Sequence, residues 1–432
     1  MVIYNIRKRG EVIKYSFFAG FIIDFDMIDV VIIGCGWRGQ VFAEYAKTHP
    51  EEMRVLAIAD KKEHLREKMK KEYNVEDKYI FEDYHDLFAQ GKIGDAIFIA
   101  TQDNQHIEPS LMALEVGYRN LMVEKPIDRD IDLCNMLNKK AQEYDAKVQI
   151  CHSLRFSPFY RKMKEIIDSG VIGKVMNINQ EEGVGYYHHA HSYVRGDWRR
   201  EDTSSPMIMA KCCHDMDLVL YLTGSHAVEV SSYGVDGYFS EKNAPDGSSA
   251  RCIDCNVRED CPFNAMKIYS ERESFYSSAV EKEGFVDLET AMREGRYGRC
   301  VFRCDNNVVD HQSANILFEN GTTATLTMNA FTKLDNRETR IMGTLGELSG
   351  SFGENVITVK PFLGEVYQVE VEQIDSGHGG ADTVVVADFL ASVRGEKEMC
   401  TPIDISIESH AMCHAAEISR KDARSVKVKE LL

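Results

Sequence analysis

Four stretches of this chain carry residues whose type and spacing could do chemistry. The first is Leu121-Met122-Val123-Glu124-Lys125-Pro126, where a short apolar run ends in an acid, a base and a proline. The run has the composition of a buried parallel strand. Pro126 lacks the N–H that would continue a ladder, so Lys125 is expected at a strand's carboxyl end. That is the edge at which open α/β sheets bind ligands. The second stretch is Lys211-Cys212-Cys213-His214-Asp215-Met216-Asp217, read as a helix that continues to Leu222. At 3.6 residues per turn, Lys211, His214 and Asp217 share roughly one face. A histidine so placed has a pKa near neutrality, a carboxylate to orient it and a cation opposing its protonation, as a general base needs. A helix-surface ion network would show the same spacing.

The third stretch is the loop 185–200, which holds His188, His189, His191, Arg195 and Trp198. Aromatic faces beside fixed donors suit a sugar or an anionic sugar, so His191, Arg195 and Trp198 are expected to line a substrate pocket. Adjacent histidines diverge on a strand, which weighs against a metal there. The fourth is a set of cysteines. Cys252, Cys255 and Cys261 lie in an insertion rich in Gly, Pro, Asn and Asp, and Cys300 and Cys304 follow. Three close thiols plus a distant fourth fit a structural Zn2+ site, able to fix an insertion that has little core of its own. An iron–sulfur cluster and unligated thiols are the alternatives, and the choice between Cys300 and Cys304 stays open.

The elements that must position these groups are legible in outline. Residues 29–33 form a buried-strand pattern, followed at once by Gly34-Cys35-Gly36-Trp37-Arg38-Gly39 and a helical segment from 40 to about 48. The glycines serve a tight turn, close approach of backbone to a pyrophosphate, and close helix–strand packing. The helix N-terminus offers free N–H groups to that pyrophosphate. A second strand, 54–59, ends in Asp60, where an acid meets the adenosine ribose hydroxyls. Asp60 favours NAD, and Lys61 with Lys62 leaves NADP open. Further strands at 95–101, 121–123 and 147–150 alternate with helical spacers, which predicts a doubly wound parallel sheet. Beyond it, a strand at 174–181 opens a second sheet, and Asn320-Gly321 marks a hairpin. The strand after that hairpin alternates Thr323, Thr325 and Thr327 with Ala324, Leu326 and Met328, so one side faces a core.

On the 34–39 fingerprint, Ile99-Ala100-Thr101 with His106, Glu124-Lys125-Pro126 and Leu154-Arg155-Phe156-Ser157-Pro158, the chain resembles the Gfo/Idh/MocA family, the glucose-fructose oxidoreductase and inositol dehydrogenase relatives. The resemblance implies an N-terminal Rossmann domain joined to a C-terminal α/β domain with a large, mostly antiparallel sheet, whose open face often makes a homo-oligomer interface. It implies an NAD(P)-dependent oxidoreductase that moves a hydride from a hydroxyl of a sugar, cyclitol or glycoside. The cofactor residues would be Gly34, Gly36, Trp37, Arg38, Gly39, Asp60, Thr101, His106, Glu124, Lys125 and Arg155, and His378 would approach the substrate. Members commonly carry a His followed three residues later by Asp, as His214 and Asp217 stand here, and that His takes the hydroxyl proton. Many place an Asp four residues before it, where this chain has Ala210. That departure admits a second reading, a glycosidase or lyase that retains its NAD and oxidises only transiently. A non-catalytic sugar or dinucleotide sensor is a third.

The bulk composition sets the frame. With 432 residues, the expected organisation is an extension at 1–26, a cofactor domain at 27–151, and a substrate and oligomerisation domain at 152–432 with a Cys-rich insertion at about 236–304. A net charge of −18 excludes nucleic acid or an anionic membrane as the main partner. No apolar run approaches the roughly 20 residues of a membrane helix. Twelve scattered cysteines do not make a secreted disulfide scaffold, so a cytoplasmic setting is expected.

Overall fold

The computed structural model describes residues 27–372, 377 and 379–432 in full. The expected extension at 1–26 and the side chain of His378 lie outside the described residues. By contact the chain divides into two units. The first takes residues up to 127 with 136–153 and 376–403, and the second takes 128–135, 154–375 and 404–432.

The first unit is a parallel sheet of six strands: β1 Ile28–Ile33, β2 Met53–Ala59, β3 Ile80–Phe81, β4 Ala96–Ile99, β5 Asn120–Val123 and β6 Lys147–Ile150. Their spatial order is β3-β2-β1-β4-β5-β6, with every pairing parallel. Val30 to Ile33 and Ala96 to Ile99 are buried throughout, as strands covered on both faces must be. Helices Trp37–Thr48, Glu63–Tyr73 and Ile107–Glu115 make the crossovers. A late helix, Ala381–Val393, packs against Trp37–Thr48, and its Phe389 ring meets Phe98 edge-on at 5.5 Å between centroids. Segment 376–403 therefore belongs to this unit, although the sequence places it within 152–432. Its apolar Val385, Val386, Phe389 and Leu390 are buried there, against a surface that lies hundreds of residues earlier in the chain.

The second unit is built on nine strands: β7 Val175–Gly183, β8 Ala227–Val235, β9 His311–Phe318, β10 Thr323–Asn329, β11 Asn336–Gly343, β12 Gly346–Ser351, β13 Val356–Pro361, β14 Tyr367–Glu370 and β15 Val426–Lys427. The order is β14-β13-β12-β11-β7-β10-β9-β8-β15, antiparallel except for the β7–β10 pair. Along β10, Ala324, Leu326 and Met328 are buried while Thr323, Thr325 and Thr327 face outward, as the alternation predicts. The expectation that the insertion has little core is corrected. Phe239, Phe263, Tyr269, Tyr297 and Phe302 pack into an apolar cluster of their own. Among the described residues, no helix is long and apolar enough to cross a membrane.

Candidate functional site

In the first unit the strand–turn–helix geometry at β1 is specific. Gly34 has φ of +94°, and a Cβ there would stand 2.4 Å from the Ala100 carbonyl oxygen. A Cβ on Gly39 would meet the Gly34 carbonyl oxygen at 1.9 Å. Both positions require glycine for the protein's own packing. Gly36 differs. A Cβ there meets nothing within 4 Å, and helix Trp37–Thr48 begins with no side-chain cap and no acid in its first turn. Open N–H groups beside open space are what a pyrophosphate needs. Asp60 is pinned next to this turn. Its Oδ2 accepts from the Cys35 N–H (2.7 Å) and its Oδ1 from the Lys62 N–H (2.8 Å). Gly34, Gly36, Asp60, Lys61, Lys62, Tyr84 and Thr101 line one cavity of about 230 Å³. The residues present therefore fit a dinucleotide's adenosine and phosphates.

The motif at the end of β5 is clamped from two sides. Glu124 is buried; it accepts from Arg38 Nε at 2.5 Å and from the Lys125 backbone N–H at 2.9 Å. Arg38 also reaches Asp382 at 3.0 Å, and against the desolvation of its half-buried guanidinium Glu124 and Asp382 raise its pKa. Arg38 and Glu124 thus shape the site, held by each other. His106, also buried, donates from Nδ1 to the Pro126 carbonyl (2.7 Å), and its Nε2 lies 3.1 Å from the Thr101 carbonyl. Lys125 is partly exposed at the carboxyl end of β5, and the Lys125–Pro126 peptide is cis. Trp37 is largely exposed beside Gly36.

In the second unit the helix expected to run through Lys211 and His214 is two pieces, Met207–Ala210 and Cys213–Thr223, with Lys211 and Cys212 at the joint. His214 is buried near the start of the second piece. Asp217 accepts from Arg155 Nε at 2.7 Å, and burial, opposed by Arg155, raises its pKa. Arg155, expected at the cofactor, is buried in this pair. Lys211 turns instead to Glu182, with Nζ 3.2 Å from the carboxylate.

Sequence reasoning missed the network around that acid. Glu182 and Arg337 are cross-strand partners on β7 and β11, joined at 2.8 Å. Arg337 also grips Asp215 (2.9 and 3.1 Å), which accepts from Gln180 Nε2 at 2.9 Å. The available signal was Gln180 and Glu182 at inward positions of an alternating strand. Asp335 was missed as well. It accepts from the Gly185 N–H (3.1 Å), the Tyr187 hydroxyl (2.9 Å) and His188 Nδ1 (2.8 Å). No periodicity ties residue 188 to residue 335.

The loop 185–200 folds as helix Tyr186–His189 followed by a π-helical turn, Ala190–Arg195. His191 lies flat on Tyr297 (4.6 Å between centroids) and bonds Tyr269, and burial pushes its pKa down to about 3. Arg195 is fully buried, donating to the Arg299 and Phe263 carbonyls at 2.8 Å and to Cys252 Sγ at 3.5 Å. Both residues serve the insertion's interior, where no face is left for a sugar. Trp198 stays partly exposed in the turn Asp197–Arg199.

The zinc expectation is corrected too. Cys252, Cys255, Cys261 and Cys300 line one small cavity with Arg195, while Cys304 donates to the Cys300 carbonyl. All five are free thiols, and among the described residues no three His, Cys, Asp or Glu side chains are placed to hold a metal ion. A guanidinium already supplies positive charge beside Cys252, and the aromatic cluster supplies the core a metal was expected to replace.

Sheet order, glycine turn and the acid fixed beside that turn define a Rossmann-type dinucleotide-binding fold. The chain belongs to the Gfo/Idh/MocA oxidoreductase family: the profile of its NAD-binding Rossmann fold matches residues 28–152 and that of its C-terminal alpha/beta domain matches 164–428. It is similar to YteT of Bacillus subtilis, 24% identical over 365 residues, 81% of this chain and 83% of that protein. It also resembles the scyllo-inositol 2-dehydrogenase (NAD(+)) of B. subtilis, 26% identical over 47% of this chain and 56% of that one. A 2,7-anhydro-N-acetylneuraminate hydratase of Mediterraneibacter gnavus is 25% identical over 48% and 52%. Among solved structures, scyllo-inositol dehydrogenase from Lactobacillus casei with NAD(H) and scyllo-inositol shares the fold, with a TM-score of 0.66 at 19% identity, covering 94% of this chain and 100% of that one.

Proposed function

We propose that this protein is an NAD-dependent oxidoreductase that oxidises a hydroxyl of a sugar, cyclitol or glycoside. The observation that carries the reading is the turn at Gly36: an uncapped helix N-terminus, room where a Cβ would point, and Asp60 fixed beside it. Bound there, the nicotinamide dinucleotide supplies the hydride acceptor. Asp60 favours NAD, while Lys61 and Lys62 in the same cavity are the groups that would serve NADP.

The chain's own residues supply the rest. Lys125, steadied by Glu124 and by His106 through Pro126, positions the substrate hydroxyl and stabilises developing alkoxide charge. His214 accepts the hydroxyl proton. The polyol class is supported by the inositol dehydrogenases among the relatives. A homo-oligomer formed through the threonine-bearing face of the second sheet fits that face's exposure. The test is steady-state NADH formation with sugars and inositols by wild type, Lys125→Met and His214→Gln. Each variant is expected to lose about 100-fold or more in kcat while still binding NAD; unchanged turnover in both would reject the assignment.

A further inference from the structure

The insertion of the second unit gathers four thiols around one cavity. Cys252, Cys255, Cys261 and Cys300 line a space of about 10 Å³ together with Arg195 and Arg258. Cys252 and Cys300 are buried, while Cys255 and Cys261 are partly exposed. Local backbone geometry singles out one pair among them. Residues Cys252–Asp254 make a 3₁₀ turn, closed by the Cys255 N–H on the Cys252 carbonyl at 3.2 Å. In such a turn, side chains three positions apart project from the same side. The closure holds their Cα atoms within about 7 Å, and a disulfide spans about 4.4–6.8 Å between Cα atoms. The later thiols are engaged elsewhere. Cys300 Sγ accepts from Arg303 at 3.6 Å, and Cys304 Sγ donates to the Cys300 carbonyl at 3.3 Å.

The charge beside the pair is positive. Arg195 is fully buried, donates to Cys252 Sγ at 3.5 Å, and keeps Nη1 without a hydrogen-bond partner. Burial works against its charge, whereas Cys252, Tyr269, Cys304 and Cys300 favour it, with no carboxylate in that set. A guanidinium keeps its proton in such surroundings. A fixed cation beside one thiol, with a partly exposed second thiol three residues on, is the setting in which cysteines react.

We propose that Cys252 and Cys255 form a redox-active dithiol, a modification site at which hydrogen peroxide converts the two thiols reversibly to a disulfide. The partly exposed Cys255 meets the peroxide. Its sulfur takes one oxygen as the O–O bond breaks, giving a sulfenic acid, and the other oxygen leaves with the thiol proton as water. Cys252, steadied by Arg195, then attacks the Cys255 sulfur. The S–S bond forms, the S–O bond breaks, and the hydroxide leaves with the Cys252 proton as a second water. Two electrons pass from sulfur to peroxide. A thiol reductant such as dithiothreitol restores both thiols by exchange. The site lies wholly within the second unit and uses no group of the dinucleotide turn.

The experiment treats the full reduced chain with hydrogen peroxide. It reads disulfide linkage by peptide mass spectrometry, the count of titratable thiols, and sulfenic acid trapped by dimedone. Wild type is expected to link Cys252 to Cys255, to lose those two thiols, and to recover both in dithiothreitol. Cys252→Ser is expected to form no link and to carry the dimedone adduct on Cys255. Cys255→Ser is expected to form no link, and Cys261→Ser to keep it. Cys255 is partly exposed, so its variant tests the site even where Cys252→Ser fails to fold. Thiols that survive peroxide, or a link between other cysteines, overturn the inference. So does a metal ion that native mass spectrometry finds on the reduced chain and that Cys255→Ser loses.

Discussion

Gly34 and Gly36 sit two positions apart and answer to different demands, which mutation can separate. Gly34→Ala puts a Cβ into the Ala100 carbonyl at positive φ and is expected to lower Tm. Gly36→Val meets open space and is expected to keep Tm while losing NAD affinity, read by thermal melting and by fluorescence titration with NADH. At the other unit's buried pair, Arg155→Met leaves the Asp217 carboxylate without its partner, and a loss of about 3–5 kcal/mol is expected in urea unfolding. Glu182 carries a pH dependence. Its folded pKa is raised from 4.5 to about 7, so the native state favours the protonated acid. That contribution is full below the unfolded pKa and is lost as pH rises through about 7. Glu182→Gln is therefore expected to flatten the stability slope between those two values, measured by denaturant midpoints across the range. The glycine turn and the place of Asp60 beside it were legible because neighbours in sequence set that geometry. The partners of Asp217 and His188 were not. Helical spacing says which side chains share a face, yet a buried carboxylate goes to whichever cation the tertiary fold delivers.

At the scale of elements, strands buried on both faces and the Asn320-Gly321 hairpin follow from local composition, and the register of β10 follows from its alternation. Helix Ala381–Val393 shows where such reasoning stops. Nothing local in its apolar residues says that it packs on the first unit's helix Trp37–Thr48. Phe389→Ala removes a fully buried ring that meets Phe98, and a loss of about 3–5 kcal/mol is expected from that unit. Hydrogen exchange resolved by peptide would place the loss in the six-stranded sheet. The cysteine insertion erred in the other direction. Cys-x2-Cys spacing is a local signal, whereas the aromatic cluster and the Arg195 guanidinium that fill its interior come from 195, 239 and 263–302.

For the molecule as a whole, family matches over residues 28–152 and 164–428 place both units in one oxidoreductase family. Residues 27–152 could be read almost completely, because the dinucleotide fold writes its ligand into consecutive residues. The second unit could be read only as a sheet with a histidine on a helix, because its polar networks are assembled from strands β7 and β11 and from loops more than a hundred residues apart. Its substrate is therefore a matter for measurement. The central claim, NAD-dependent oxidation of a polyol or sugar hydroxyl, is tested most directly by mixing the purified protein with NAD and a panel of inositols, sugars and glycosides and following NADH absorbance from the first turnover. The account predicts NADH with at least one of them, formed with NAD in preference to NADP, in at least stoichiometric or single-turnover amount. Failure of the protein to bind NAD, or the absence of any NADH across the panel even in a single turnover, would contradict it.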